Sequence, residues 1–448
     1  MPKTSFNRVT DDIQRLSELA KEASYIDPKL YYKFDVKRGL RDVNGAGVVV
    51  GLTNISEINA FRNGPNGERI PIDGELFYRG YNINDLVRYQ ETDNHFGFEE
   101  CCYLLLFGDL PNLDQLQNFS EILSKYRVLP RNFVRDIIMK KPPSNIMNAL
   151  AKCVLAMYSY DETPEATSEA NILRQCLGLI AMFPLMSVYA YHSYQYYHKH
   201  KSLIIHRPVA GYSTAENILH CLRADSKFTS LEAKLLDVAL ILHMEHGGGN
   251  NSTFTTHLVS SSGTDTYSAI AAALGSLKGP RHGGANIKVV DMFADLKRNV
   301  KNWEDESAID AYLRAILHKE AFDRSGLIYG IGHAVYSKSD PRARIFRYFV
   351  ERLAREKGFE REFELYHTVE RLAPKIIEEE CRMYKGVSPN VDFYSGFAYR
   401  MLNLPLPLYT PLFAIARIAG WSAHRMEEVC SHNKIMRPAY VASAPQRE

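Results

Sequence analysis

Neither sign of charge dominates this chain: 54 basic and 52 acidic side chains leave a formal charge of only +2 over 448 residues. Such a balance removes the general electrostatic drive toward nucleic acid or an anionic membrane, and leaves open only a local cationic pocket for a small anion. Cysteine is sparse and odd in number, with seven at 101, 102, 153, 176, 221, 381 and 430. No pair has zinc-site spacing, so the expectation is buried free thiols in a reducing compartment rather than disulfides or a structural metal. No uninterrupted apolar run reaches the ~20 residues needed to span a bilayer. The opening MPKTSFNRVTDDIQRL mixes acids with bases and lacks a signal-type apolar stretch. Cytoplasmic residence, with no membrane and no nucleic-acid partner, is the resulting expectation. No P-loop, dinucleotide-binding glycine fingerprint or GxSxG elbow appears in a suitable context. The tyrosine-rich HSYQYYHKHKS at 192–202 reads as a helix end at a surface or subunit contact.

What remains is the composition of a folded protein, 46% hydrophobic and 24% charged, in a chain long enough for two or more domains. Helical periodicity predominates over 146–160, 231–243, 264–277, 307–319, 362–384 and 411–430. The run 172–191 is apolar nearly all round, which predicts a helix buried inside a large core. Residues 340–357 carry strong end signals: Asp340 as cap, Pro341 in the first turn and Gly358 as terminator. Strand signals are confined to 45–51 and 76–79. The prediction is an all-α fold with a minor N-terminal β element. Pro and Gly clusters near 279–285 and 386–391 bracket a charged stretch of roughly 100 residues, which suggests a second domain inserted in the first.

Three segments join a polar residue to a constrained backbone without reading as the interior of a regular element: GPRHGGAN (279–286), GIGHAVYSKSDPR (330–342) and NVDFYSG (390–396). Such loops cost conformational entropy for little burial, so they are where chemistry is sought. They present His282, His333 and Asp392, two imidazoles and a carboxylate suited to acid–base work at a carbonyl carbon. A helix start after His282 favours a neutral imidazole, and Phe393 and Tyr394 are positioned to desolvate Asp392 and raise its pKa. Arg342 at a helix start suits a carboxylate or phosphate. A fourth segment, HMEHGGGNNST, contains His243, Glu245 and His246 but lacks HExxH spacing, so no catalytic metal is expected. Arg417 within FAIARIAG requires either a buried anion or a route to solvent. Arg437 reads on its own as a surface residue.

Together with VKRGLRDVNGAGVVVGLTNI and ELFYRGYNINDL near the start, these ordered motifs resemble the citrate synthase family, including 2-methylcitrate synthase. The resemblance runs through most of the chain. It implies an almost wholly helical homodimer with a large domain, 1–282 and 389–448, and a small mobile domain, 283–388. It places the enol-stabilising histidine on His282, the carbonyl-polarising histidine on His333 and the methyl-deprotonating aspartate on Asp392. His246, Arg342 and Arg417 fall on oxaloacetate-binding positions, and Arg437 on an arginine that the partner subunit supplies. Acetyl-CoA enters as cosubstrate with no tightly bound cofactor and no metal. Two positions depart from the pattern. Gly247 stands where many relatives carry glutamate, leaving open what supports His246. Ser337 stands where some carry a base for coenzyme A phosphate, with Lys338 as replacement. The alternatives are propionyl-CoA as donor, giving 2-methylcitrate, or an acyl-CoA-binding helical protein without turnover.

Overall fold

The computed structural model describes residues 9–42, 46–65, 68–93, 95–333, 335–381, 386–431 and 434–444. Among them, seventeen α-helices and one three-stranded sheet form the fold. The chain falls into two compact units. One joins Met1–Leu52 to Met436–Glu448. Its helices Asp11–Ala23 and Pro28–Lys33 are capped by Thr10 and Asp27 and bury no side chain. The other unit, Thr53–Ile435, holds every other helix, the sheet and all the candidate residues except Arg437.

The sheet is antiparallel in the order β1 (Ser56–Asn63), β2 (Arg69–Tyr78), β3 (Tyr81–Asn82). Ser56 pairs with Tyr78 and Asn63 with Arg69, with an irregularity between Asn59 and Phe61. The strand expected over 76–79 is the end of β2. The one expected over 45–51 is not formed: Gly45 lies outside the described residues, and over 46–51 a single bridge joins Gly47 to Arg41. Val48, Val49 and Val50 are 41%, 85% and 49% exposed. Valine content makes a strand only where a partner strand and a buried face exist; among the described residues these valines have one backbone bond, Val48 N to Leu40 O, and no buried face.

The predicted core helix is present as Glu169–Lys199 and is buried from Ile172 through Ala190 on nearly every side. By length and composition it matches a membrane span, yet 89% of its most apolar stretch is buried in protein. It packs against Ile146–Met157 and against Tyr409–Cys430, the last long helix. Five cysteines are buried as free thiols, whereas Cys381 and Cys430 are exposed. Helix Pro341–Lys357 has the predicted ends: the Asp340 side chain accepts from Arg342 N, and Gly358 closes it at φ +72°. Helices Glu360–Cys381 and Tyr409–Cys430 begin two residues before their predicted starts at 362 and 411; residues 382–385, the expected end of the first, lie outside the described residues.

Tyr409–Cys430 also packs on Ser230–Met244 and Asn251–Ser260, and one glycine sets how closely. A Cβ built on Gly420 would lie 2.5 Å from Met244 O and 2.4 Å from Glu245 Oε2. The two helices therefore meet closely at the C-terminal end of Ser230–Met244, which bears His243 in its last turn and is followed by Glu245 and His246. The sheet meets the same point from another side. Tyr78 Oη donates to Ile241 O (2.8 Å) and Ser56 Oγ donates to Glu245 Oε1 (2.9 Å).

Candidate active site

Arg417, one helical turn before Gly420, is wholly buried. Its Nε donates to His243 O at 2.7 Å, and its guanidinium lies over the Phe413 ring at 4.7 Å. Both terminal nitrogens are buried without a hydrogen-bond partner among the described residues. Burial pulls its pKa down to about 10, with Glu245 opposing, so the group remains a cation at neutral pH. A buried guanidinium with two unused nitrogens fits a carboxylate that can engage both. Of the two alternatives posed by the sequence, the exit to solvent is excluded, because the side chain is wholly buried.

The chain turns at His246, just past helix Ser230–Met244 and its cap Glu245. Gly247 adopts φ +82°, and a Cβ there would sit 2.9 Å from Ile58 Cδ1, so a larger side chain such as glutamate is strained at this turn. Its N–H donates instead to Glu245 Oε1 at 2.6 Å, closing a loop around His246. His246 Nε2 is buried and unpartnered among the described residues. Burial and then the Arg342 cation hold the imidazole well below its ordinary pKa, so it is neutral.

His333 stands edge-on to His246, with ring centroids 5.1 Å apart, and stacks on Tyr336 at 4.9 Å. Its Nδ1 accepts from the backbone N–H groups of Val335 (3.0 Å) and Tyr336 (3.1 Å), which leaves the proton on Nε2. Nε2 lies 3.4 Å from Arg342 Nη2. Both atoms carry hydrogen, so this is a pair of converging donors that an oxygen acceptor can bridge. Arg342 is aimed by Asp340, whose two oxygens accept from Nε (3.1 Å) and Nη2 (2.8 Å). Asp340 is the helix cap that the sequence indicates, and also the buried counter-ion that it does not.

Two loops far apart in sequence clamp this side of the site. Ile331 and Pro389 form an antiparallel bridge. Gly332 N donates to Ser388 O (2.8 Å), Asn390 N to Gly330 O (2.9 Å) and Asn390 Nδ2 to Gly332 O (2.8 Å). Gly330 has φ +83° and approaches Phe393 too closely for a Cβ, at 2.9 Å. Asp392 follows directly and, contrary to the loop expectation, lies in the first turn of helix Val391–Met401, capped by Asn390. The sharp clamp at Asn390 gives the chain its helix start, and the stretch 393–401, buried at all but Arg400, continues it. Burial raises the Asp392 carboxyl to about 6, with Arg342 as the main opposing charge.

His282 precedes helix Ala285–Asn299, as expected. Its Nε2 lies 3.0 Å from Ser252 Oγ, which also accepts from Trp421 Nε1 (3.2 Å) and can donate to Asn250 Oδ1 (3.0 Å). The imidazole is neutral, with its pKa lowered to about 4 by burial and then by Arg417. Arg417 thus acts electrostatically on His246, His282 and Asp392 alike. Ser252 and Trp421 escape a reading of the sequence because their contacts bridge elements distant in the chain, and Tyr336 and the counter-ion role of Asp340 escape it although their partners are near in sequence. The capping pattern SDPR is the one local signal that marks Asp340.

Lys338 lies apart from this buried group, exposed and 4.0 Å from Asp73. Ser337 Oγ is buried without a partner among the described residues. Arg437 is exposed on the terminal strip of the other compact unit.

A family model described as citrate synthase, C-terminal domain, matches residues 43–439. The citrate synthase of Haloferax volcanii is 34% identical over 409 residues, 90% of this chain and 94% of its own. The 2-methylcitrate synthase of Shewanella oneidensis is 31% identical over 374 residues, 83% and 90% of the two chains. The citrate synthase of Thermoplasma acidophilum, solved as a ternary complex with carboxymethyl coenzyme A and oxaloacetate, superposes with a TM-score of 0.73 at 26% identity, covering 92% of this chain and 98% of that one.

Proposed function

Because the chain belongs to the citrate synthase family of carbon–carbon bond-forming acyltransferases, we propose that it joins the methyl carbon of acetyl-CoA to the ketone carbon of oxaloacetate and hydrolyses the thioester to release citrate and CoA. The observation that carries this reading is Arg417, a buried cation with two nitrogens unpartnered among the described residues, acting on His246, His282 and Asp392 together. That arrangement suits a small dicarboxylate beside a base.

Asp392 takes the methyl proton. A carboxyl held at about 6 is ionised at neutral pH yet more basic than an ordinary aspartate. Neutral His282 donates to the developing enolate oxygen once the Ser252 hydroxyl hydrogen turns to Nε2 and leaves the ring proton on Nδ1. His333 polarises the ketone through Nε2–H, assisted by the adjacent Arg342 nitrogen. Arg342 and Arg417 bind the carboxylates and His246 orients the molecule. The site works in a homodimer in the cytoplasm: a small domain, 283–388, closes on a large one, 1–282 with 389–448, and the partner subunit supplies its Arg437. Lys338 contacts coenzyme A from the rim, where its exposure suits a phosphate. No tightly bound cofactor or metal takes part in these steps.

A second reading, condensation of propionyl-CoA to 2-methylcitrate, has support from the Shewanella relative. One added methylene changes pocket selectivity by about 1–3 kcal/mol. Specificity constants for acetyl-CoA and propionyl-CoA, each with oxaloacetate and with the product identified, separate the two. The proposal expects acetyl-CoA to lead by about tenfold or more, and a lead for propionyl-CoA overturns the donor assignment.

A further inference from the structure

A chain of buried ionisable groups that the reaction does not use ends at the turn holding His246. Glu428 Oε2 lies 2.7 Å from His257 Nδ1, and His257 Nε2 lies 2.9 Å from His424 Nδ1. His424 Nε2 in turn lies 3.1 Å from Glu245 Oε1. All four residues are at most 8% exposed, and they come from three separate segments: helix Tyr409–Cys430, helix Asn251–Ser260 and the residue ending Ser230–Met244. Glu245 Oε1 is the same atom that accepts from Gly247 N and Ser56 Oγ.

Donor and acceptor rules fix the protons. The carboxylate of Glu428 can only accept, so His257 Nδ1 carries hydrogen. A neutral His257 then offers Nε2 as acceptor, and His424 must donate to it from Nδ1. The Glu245 carboxylate facing Nε2 calls for hydrogen on that nitrogen too. His424 is therefore doubly protonated, a cation clasped between His257 and Glu245. Its contact with Glu245 lies off the line of a straight hydrogen bond, so charge rather than alignment sustains it. The charged and titratable groups around His424 are Glu245, His257 and, from its own helix, Glu427 at 3.7 Å and Glu428 beyond His257. An ion shared by the two rings is the competing use of this cluster. Two nitrogens bound to one tetrahedral ion stand about 3.3 Å apart, given metal–nitrogen bonds near 2 Å. The observed 2.9 Å is the spacing of a shared proton.

We propose that Glu428, His257, His424 and Glu245 form a buried positioning relay, in which a His424 imidazolium holds ionised the carboxylate that closes the turn around His246. Burial alone drives His424 down and Glu245 up. Their mutual attraction is the main force that reverses both, with Glu427 also raising His424 and Arg417 and Ser56 also lowering Glu245; His424 comes up to about 9 and Glu245 down to about 2, while burial and the His424 cation hold His257 below its ordinary value. The relay touches no substrate and acts only through the position of His246. Its consequence for oxaloacetate rests on the function proposed above.

Two readouts test it. The first needs no substrate: histidine-labelled enzyme is titrated by NMR, with the His424 ring identified by its absence in His424→Asn. The proposal expects both ring nitrogens protonated at pH 7.5, and a neutral ring there overturns it whatever the enzyme's substrate. The second is the ratio of KM for oxaloacetate in Glu245→Gln to that of wild type between pH 6 and 8. The amide oxygen of that variant still accepts from Gly247 but no longer supports the cation, so His424 loses its charge within this window and the ratio climbs about tenfold. A ratio above one that stays flat with pH marks a packing role and overturns the proposal. Should Glu245→Gln not fold, the same ratio is read in His257→Leu, expected to climb, against His257→Gln, whose amide oxygen restores the acceptor and is expected to track wild type. Equal behaviour of those two variants also overturns it.

Discussion

Asp392 shows at the scale of one residue how reactivity and stability are traded. Its carboxyl has an ordinary value of 3.8 but is raised to about 6 by burial, so the folded protein binds this proton more tightly than the unfolded chain does. Stability from this group therefore falls as pH rises from about 4 to about 6 and stays lower above that. Asp392→Asn is expected to unfold later than wild type at pH 7.5, by about 1–3 kcal/mol in denaturant melts, and to lose that advantage near pH 4. An equal or lower stability at pH 7.5 contradicts the burial argument. The rate should follow the opposite course, with kcat/KM for acetyl-CoA rising through about pH 6 as Asp392 ionises. Arg417 supplies the companion test: Arg417→Lys keeps a charge but not the fork, and KM for oxaloacetate is expected to rise about 100-fold or more while that for acetyl-CoA changes little. Most of these side chains are legible in the sequence because short Gly- and Pro-marked segments carry them. The Ser252–Trp421 support of His282 is not, because nothing local distinguishes a serine that meets an indole from a residue 169 positions away.

Elements are legible in proportion to how far their own pattern determines them. The caps of Pro341–Lys357 and the apolar circumference of Glu169–Lys199 are local properties, and both helices stand where the pattern places them. The hairpin of β1 and β2 is only half visible in the sequence, since its pairing depends on a turn and on burial against the helices rather than on valine content. The short helix bearing Asp392 escapes it because its start is set by the bridge between Ile331 and Pro389, a contact across two loops. Close approach of helices is the device that brings the site together, and Gly420 makes it testable. Adding one methyl places carbon 2.5 Å from Met244 O and 2.4 Å from Glu245 Oε2. Gly420→Ala is expected to cost about 1–3 kcal/mol, seen as a lowered Tm, and to raise KM for oxaloacetate by shifting Arg417 and Glu245 apart. A variant with unchanged Tm and KM contradicts the packing account.

At the scale of the whole molecule, the proposed dimer makes each site depend on two chains. Coexpression of Asp392→Asn with Arg437→Leu tests this by complementation. A hybrid dimer then has one site with both defects and one with neither, so mixed preparations are expected to recover activity that neither parent shows. Failure to recover it, with hybrids demonstrated, places Arg437 in its own subunit's site or outside the chemistry. The near-zero net charge fits a molecule whose strong field is internal, gathered around Arg342 and Arg417. The central claim is that Asp392, set beside that field, takes the proton that starts carbon–carbon bond formation. Its most direct test is the rate of CoA thiol release from acetyl-CoA and oxaloacetate at pH 7.5, by wild type and by folded Asp392→Asn. The account predicts a fall of about 10²–10⁴-fold; a rate within about threefold of wild type contradicts it.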